Sequence, residues 1–382
     1  MIKYLGSKRR LVPVIAELCQ RAGARTALDL FTGTTRVAQA FKQAGVLVTA
    51  VDTARYAEVF ARSAIATDAA GVDEAALRRM LAHYNRLPGR PGYVTETFCR
   101  ASRFFQPANG ERIDAIRDAL DRDLAGSPLF PIVLTSLIEA ADRVDSTTGV
   151  QMAYVKQWAA RSTRPLELRV PVLLPGPGRA VRGDACALVG ELDPVDVAYL
   201  DPPYNQHRYY TNYHIWETLV AWDAPPHYGV ACKRADSRDA ATKSVFNQKR
   251  AMPGALEALV AGVAADVVIV SYNDESWVPL ADLVAMCAHR GAVRVLGFDQ
   301  RRYVGAQIGI HDPAGRRVGQ VSHLRNTEYL VVAGPRPRVE TMVAPYWRDH
   351  GVTRAAMVAP QGRVVTGSED AGSLVRGSTG AE

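Results

Sequence analysis

Residues 195–200, VDVAYL, form an apolar run that ends on Asp201, two consecutive prolines and Tyr204. Proline has no N–H to donate and a fixed φ, so no strand continues through Pro202 and Pro203. A chain with this stretch must end a buried strand here and present one carboxylate and one ring from a stiff turn. Two earlier runs follow a related plan. RTALDLF (25–31) leads into TGTTR and an apolar-periodic segment, VAQAFKQAG, and VLVTAVD (46–52) closes on Asp52. With RRLVPVIAELCQRAG ahead of them, stopping near Gly23, the first fifty residues read helix, strand, helix, strand. That is the alternation of an α/β protein with a parallel sheet. Ligands of such sheets bind at the carboxyl ends of the strands, where Asp29, Asp52 and Asp201 fall.

The middle of the chain differs. From about Ala57 to Arg164 no strong strand signal occurs. In ERIDAIRDALDRDLAG, Ile113, Ile116, Leu120 and Leu124 recur at spacings of three and four, an amphipathic helix stopped by Gly126 and Pro128. FPIVLTSLIEAADRV is apolar nearly all round and reads as a buried helix. Strand signals resume with RAVRGDA, then VDVAYL, DVVIVSYND (266–274), AVRVLGF (292–298) and NTEYLVVAG (326–334). The expected organisation is a discontinuous α/β domain, residues 1–60 and 166–335, interrupted by a helical insertion over 61–165. Within it lies a polar, aromatic and basic insertion, 206–252. Residues 336–382, rich in Gly, Ser, Pro and Arg, read as a flexible tail.

Composition sets bounds. Of 382 residues, 48% are hydrophobic and 22% charged, enough for a sizeable core. The five cysteines are scattered without metal-ligand spacing, so free thiols in a reducing cytoplasm are expected and no metal is. The start, MIKYLGSKRRLVP, is basic and lacks the apolar core of a signal peptide. No apolar run is long enough to cross a membrane. The net charge of +7 favours a polyanionic partner.

The turns carry the chemistry. DLFTGTTR places Asp29 and Gly33 where a backbone can approach a ligand, and Asp52 stands where a carboxylate takes ribose hydroxyls. Neither G-x-G-x-x-G nor a P-loop is present, which points to a nucleoside-like ligand rather than nucleotide phosphates. At 201–204, Asp201 and the Pro202 carbonyl can each accept one N–H of an exocyclic amine on an aromatic base. That favours the tetrahedral geometry in which the amine nitrogen attacks a methyl group. Pro203 stiffens the turn, and Tyr204 offers a face for stacking.

With these motifs in view, the chain resembles the bacterial DNA adenine methyltransferases of the alpha group, the Dam-like amino-methyltransferases, over roughly residues 1 to 335. KYLGSKRRL, DLFTGTTRVA, GDA, YLDPPYN, SYNDE and NTEYLVV stand in the order those enzymes use. The resemblance implies a Rossmann-like, mostly parallel sheet of seven strands, with the helical insertion serving target recognition. It implies S-adenosylmethionine as cofactor, double-stranded DNA as substrate and extrusion of one adenine for methylation. It assigns Tyr4, Gly6 and Lys8 to the methionine end of the cofactor, Asp29, Phe31 and Gly33 to its first loop, Asp52 to the ribose, and Asp184 to the cofactor's adenine amine. Asp201, Pro202, Pro203 and Tyr204 would be catalytic. One departure stands out: Thr35 occupies a position where the wider class often has glycine, and a β-branched residue does not easily take a positive φ.

A cognate restriction endonuclease and a bacterial or phage source are part of the same expectation. The motif suits cytosine's exocyclic amine as well as adenine's. An adenine in RNA, or a DNA-binding module without catalysis, are the other readings. Candidate DNA contacts are Arg208, Tyr209, Tyr210, Lys243, Lys249, Arg250, Arg301, Arg302, Arg316, Arg317 and Arg325. His207 and His214 read as phosphate contacts or surface residues rather than acid–base groups.

Overall fold

The structure, a computed structural model, describes residues 2–6, 8–301, 310–311, 317–319, 325–346 and 362–365, with backbone alone at 300–301, 310–311, 317–319 and 362–365. Its main strands are β1 (Thr26–Asp29), β2 (Leu47–Asp52), β3 (Gly178–Arg182), β4 (Val195–Leu200), β5 (Ala265–Asn273), β6 (Ala292–Arg301), β7 (Arg325–Gly334) and β8 (Gly362–Val365). The longer helices are α1 (Val12–Arg21), α2 (Arg36–Gln43), α3 (Arg55–Ala61), α4 (Glu74–Asn85), α5 (Pro107–Leu124), α6 (Phe130–Val144), α7 (His214–Ala221), α8 (Met252–Gly262), α9 (Leu280–Ala288) and α10 (Arg336–Val343). The chain divides into two compact units. One comprises Met1–Arg9, Thr32–Gly183 and His207–Ser244, the other Arg10–Phe31, Asp184–Gln206 and Val245–Glu382.

In the second unit the strands lie in the order β8-β6-β7-β5-β4-β1. β1 runs parallel to β4, with Asp29 opposite Tyr199, and β4 parallel to β5, with Leu200 opposite Val270. β7 is antiparallel to both β5 and β6, and β8 to β6. Past their first two residues the central strands β4 and β5 are buried, Val197–Leu200 and Val267–Val270 among them, which is why they read as continuous apolar runs rather than alternations. At the amino end of β1, Asp196 accepts from the backbone N–H of Arg25 (2.8 Å) and Thr26 (3.0 Å) and from the Thr26 hydroxyl (3.0 Å), locking the β1–β4 register. The expected α/β class and parallel pairing are present; β8 is a strand the sequence did not announce.

The stretch read as a flexible tail begins instead with α10, where Val339, Met342 and Val343 are buried at spacings of three and one. Tyr346 is also buried and donates to Glu17 (2.7 Å). Pro337 and the flanking arginines mask this helix in the sequence, but a proline in the first turn costs no hydrogen bond. The rest of that stretch lies outside the described residues, β8 apart.

The first unit holds the parallel pair β2–β3, Val48 opposite Gly178 through Asp52 opposite Arg182, and the helical block. A continuous core joins Tyr56 and Phe60 of α3, Leu77 and Leu81 of α4, Ile113, Ile116 and Leu120 of α5, Leu134, Leu137 and Ile138 of α6, and Trp216 of α7. The Asp114 carboxylate accepts from the N–H groups of Gly92, Val94 and Thr95 and from the Thr95 hydroxyl, at 2.7–2.9 Å. That buried acid pins the loop ahead of residues 95–100 to α5.

Candidate active site

In the second unit, two strand ends carry acids side by side. Asp29 closes β1 and is buried, and Asp201 follows the last residue of β4, the parallel neighbour of β1. Residues 201–204 form neither helix nor strand, as two consecutive prolines require, and Pro202 is buried. The half-buried Tyr204 ring and the Tyr272 ring meet in a T-shaped contact, with centroids 5.5 Å apart. Tyr272 sits near the end of β5 and is itself fixed, its hydroxyl accepting from the N–H of Val278 at 3.3 Å. Beyond the loop, the Asn205 carbonyl accepts from the Asn247 amide at 2.8 Å. Its neighbour Phe246 packs edge-to-face on Phe31, 5.1 Å between centroids. Neither Asn247 nor Phe246 carried a signal in the sequence; a lone polar residue in a basic stretch has none. Asp184 is exposed and accepts from the N–H of Cys186 at 2.8 Å, capping the short helix Ala185–Leu188.

In the first unit, one Asp52 oxygen accepts from the N–H of Gly33 (2.9 Å) and the other from the N–H of Ala54 (2.9 Å). Burial pushes this carboxyl above its usual range, and the N–H groups of Ala54, Gly33 and Thr53 oppose that rise. Gly33 has φ +50°, and a Cβ there would stand 3.0 Å from a Tyr4 ring carbon. Tyr4 stacks on Tyr213 at 4.6 Å, lies 5.3 Å from Tyr209 and bonds the Tyr56 hydroxyl at 3.1 Å. Burial raises the Tyr4 hydroxyl well above the usual phenol range. Gly6 repeats the pattern, with φ +74° and the Tyr209 hydroxyl 2.9 Å from where its Cβ would be. The N-terminal segment is tied down by the Leu5 N–H donating to the Tyr213 hydroxyl (2.6 Å) and by the Lys3 ammonium beside Asp142 (2.9 Å) and Asp145 (3.2 Å). Lys8 is buried. Tyr4, Gly6, Gly33 and Asp52 thus come together as one tight cluster.

Thr35 lies in the left-handed region, φ +61° and ψ +16°, with no solvent exposure. The turn does need a positive φ here, and a threonine supplies it at an intrinsic cost of about 1–2 kcal/mol.

A family described as D12 class N6 adenine-specific DNA methyltransferase matches residues 4–286. The chain belongs to that family. Type II methyltransferase M.NlaIII of Neisseria lactamica is 27% identical over 79% of this chain and 92% of its own length. Modification methylase StsI of Streptococcus sanguinis is 27% identical over 74% of this chain, and Modification methylase LlaI of Lactococcus lactis subsp. lactis 26% identical over 79%. This chain spans about half the length of those two larger relatives, 45% and 51%. The DPPY loop and the strand-end acids all lie within the matched residues of this methyltransferase family.

The candidate DNA contacts fare unevenly. Lys243, Lys249 and Arg250 are exposed. Arg208 donates to the Ser237 carbonyl, and Tyr210 donates to Asp236 at 3.0 Å. Tyr209 belongs to the ring cluster around Tyr4. Arg325 is exposed and paired side-on with Asp299, both contacts at 2.7 Å. Arg302 and Arg316, and the side chains of Arg301 and Arg317, lie outside the described residues. One reading needs correction. His214 is not a surface or phosphate residue: it is fully buried, its Nε2 3.1 Å from the Gln151 carbonyl, and burial pushes its pKa down to about 3. Within the basic stretch, Arg234 is buried between Asp223 and Asp236, each at 2.7 Å, and is spent on that network rather than on solvent.

Proposed function

We propose that this protein transfers a methyl group from S-adenosylmethionine to the exocyclic amine of adenine in double-stranded DNA. The observation that carries the reading is the rigid Asp201–Tyr204 loop at the carboxyl end of β4, beside the strand end that bears Asp29, in a chain of this family.

The residues present suit such a cofactor. Gly33, without a Cβ, lets the Tyr4 ring lie close against the turn, and Asp52 is oriented by backbone N–H donors while retaining lone pairs for two vicinal hydroxyls. Tyr4, Gly6 and Lys8 would serve the methionine end, Asp29, Phe31 and Gly33 the first loop, Asp52 the ribose, and Asp184 the adenine amine through its oxygen not engaged in the cap. When bound, the cofactor supplies an electrophilic methyl group.

The chain's own work is positioning. Asp201 and the Pro202 carbonyl accept the two hydrogens of the adenine amine, turning its lone pair out of conjugation with the ring. Pro202 and Pro203 offer no N–H to compete for those acceptors and hold the loop stiff. Tyr204, braced by Tyr272, gives the extruded base a flat partner. The proton that leaves the amine nitrogen is already shared with an Asp201 oxygen. Preorganised acceptors of this kind act without reorganisation at the moment of reaction. Lys243, Lys249 and Arg250 are available to phosphates, and pairing with a restriction endonuclease fits the relatives named as modification methylases.

The test is transfer of labelled methyl to duplex DNA, with methylation-aware sequencing of a methylation-free host expressing the gene. Asp201→Ala should lose transfer by about a hundredfold or more, while keeping its affinity for S-adenosylhomocysteine. A folded Asp201→Ala protein with wild-type turnover, or label found only in RNA or on cytosine, refutes the reading.

A further inference from the structure

Thr35 is one of four described non-glycine residues with positive φ, and it is buried completely. It ends the turn that begins at Gly33 and stands as N-cap of α2. Its N–H donates to the Thr32 carbonyl (2.6 Å), and its carbonyl accepts the N–H of Gln39 (2.7 Å). Its hydroxyl donates to the Thr34 carbonyl (2.7 Å) and accepts from the Gln39 side-chain amide (2.8 Å). Glycine would reach this backbone conformation unaided. Threonine reaches it because its hydroxyl has a donor and an acceptor in place, and the donor comes from one turn along α2.

We propose that Gln39 is a positioning residue for the cofactor turn: its amide clamps Thr35 in the left-handed conformation and thereby holds the Gly33 N–H on Asp52. The proposal rests on the cofactor reading above and adds a residue to it. Gln39 touches neither Gly33 nor Asp52 through any hydrogen bond found; it acts through Thr35. Without the amide, the Thr35 hydroxyl keeps only Thr34 and the strained φ loses its support. The turn then samples conformations in which the Gly33 N–H leaves Asp52, and each productive binding event must first restore the clamp. Preorganisation lost in this way appears as weaker binding with unchanged chemistry.

The experiment is a cycle of four proteins: wild type, Gln39→Leu, Thr35→Gly and the double variant. Gln39→Met, unbranched and of similar length, replaces leucine should that variant not fold. Initial rates on duplex DNA against S-adenosylmethionine concentration give KM and kcat for each. Gln39→Leu should raise KM for the cofactor about tenfold, equivalent to ~1.4 kcal/mol, with kcat within about twofold of wild type. In the Thr35→Gly background the same substitution should move KM less than about twofold, because glycine holds the conformation without help. An equal rise in both backgrounds, an unchanged KM, or a loss confined to kcat overturns the proposal while leaving the cofactor reading intact. Calorimetry of the wild type with S-adenosylhomocysteine separates the two ideas: no binding at all overturns the cofactor reading, and this proposal with it.

Discussion

Gly33→Ala is the sharpest single perturbation of the cofactor cluster. Two costs add. At φ +50° an alanine pays about 1–2 kcal/mol relative to glycine. Its methyl would also stand 3.0 Å from Tyr4 Cε1, 3.1 Å from Oη and 3.3 Å from Cζ. A flexible neighbour would yield a few tenths of an ångström cheaply, but this ring is stacked on Tyr213 and bonded to Tyr56. Overpacking a held ring adds roughly 1–2 kcal/mol. Together they come to about 2–4 kcal/mol, loaded onto the turn that presents the Gly33 N–H to Asp52. If the fold absorbs the cost, differential scanning fluorimetry should show a lower midpoint. If the turn moves instead, calorimetry with S-adenosylhomocysteine should show affinity reduced by about thirtyfold or more. One of the two must appear. A Gly33→Ala protein with wild-type midpoint and affinity within twofold would mean that neither the positive φ nor the packing of Tyr4 constrains this turn.

Tyr204→Phe keeps the stacking face and should retain substantial turnover, whereas Tyr204→Ala should lose ~1–3 kcal/mol of base capture, read by fluorescence of 2-aminopurine at the target adenine; equal damage in both would assign the function to the hydroxyl. Glu217 is buried, accepts the Arg55 N–H at 2.8 Å, and is pushed by burial from 4.5 to about 7. Because its folded pKa is raised, the stability it contributes is complete below about pH 4.5 and is lost as pH rises through about 7. Glu217→Gln should therefore gain roughly 2–3 kcal/mol on the wild type between those limits, and a difference between the two proteins that does not change with pH, by denaturant unfolding, would remove Glu217 from that account.

The backbone of the fold was legible because buried parallel strands must be apolar along their whole length and end where ligands bind. Asp29, Asp52 and Asp201 each close such a run, and proline chemistry alone dictates the turn after β4. Local pattern could also flag Thr35 as a residue at odds with its turn, but not the remedy. Gln39 looks like any polar residue on an amphipathic helix until its amide is seen one turn back on the threonine. Within 206–252, two side chains are engaged where their types alone do not suggest it, for a related reason. His214 and Arg234 carry the residue types of a nucleic-acid surface, and only tertiary contacts reveal Gln151 beside one and Asp223 and Asp236 around the other. Tyr209 and Tyr213 likewise pack around the N-terminal segment, a contact no local pattern announces. Sequence shows which groups a chain owns; whether a charge or ring is already engaged depends on residues far away.

The pairing of β2 with β3 has a consequence for the order of folding. The two strands lie in register, yet the whole helical block separates them along the chain. Closing so long a loop is slow, although each doubling of its length adds only about 0.6 kcal/mol. β3 packs tightly once docked: a Cβ at Gly178 would collide with the Ile65 carbonyl of the turn at 62–66. Lys42 ties that turn down, donating to the carbonyls of Ile65 and Thr67 at 2.7 Å. Loop closure predicts that β3 docks after the helices have condensed. Substitutions along it should speed unfolding far more than they slow folding, making this strand the natural place for the first unit to begin to come apart.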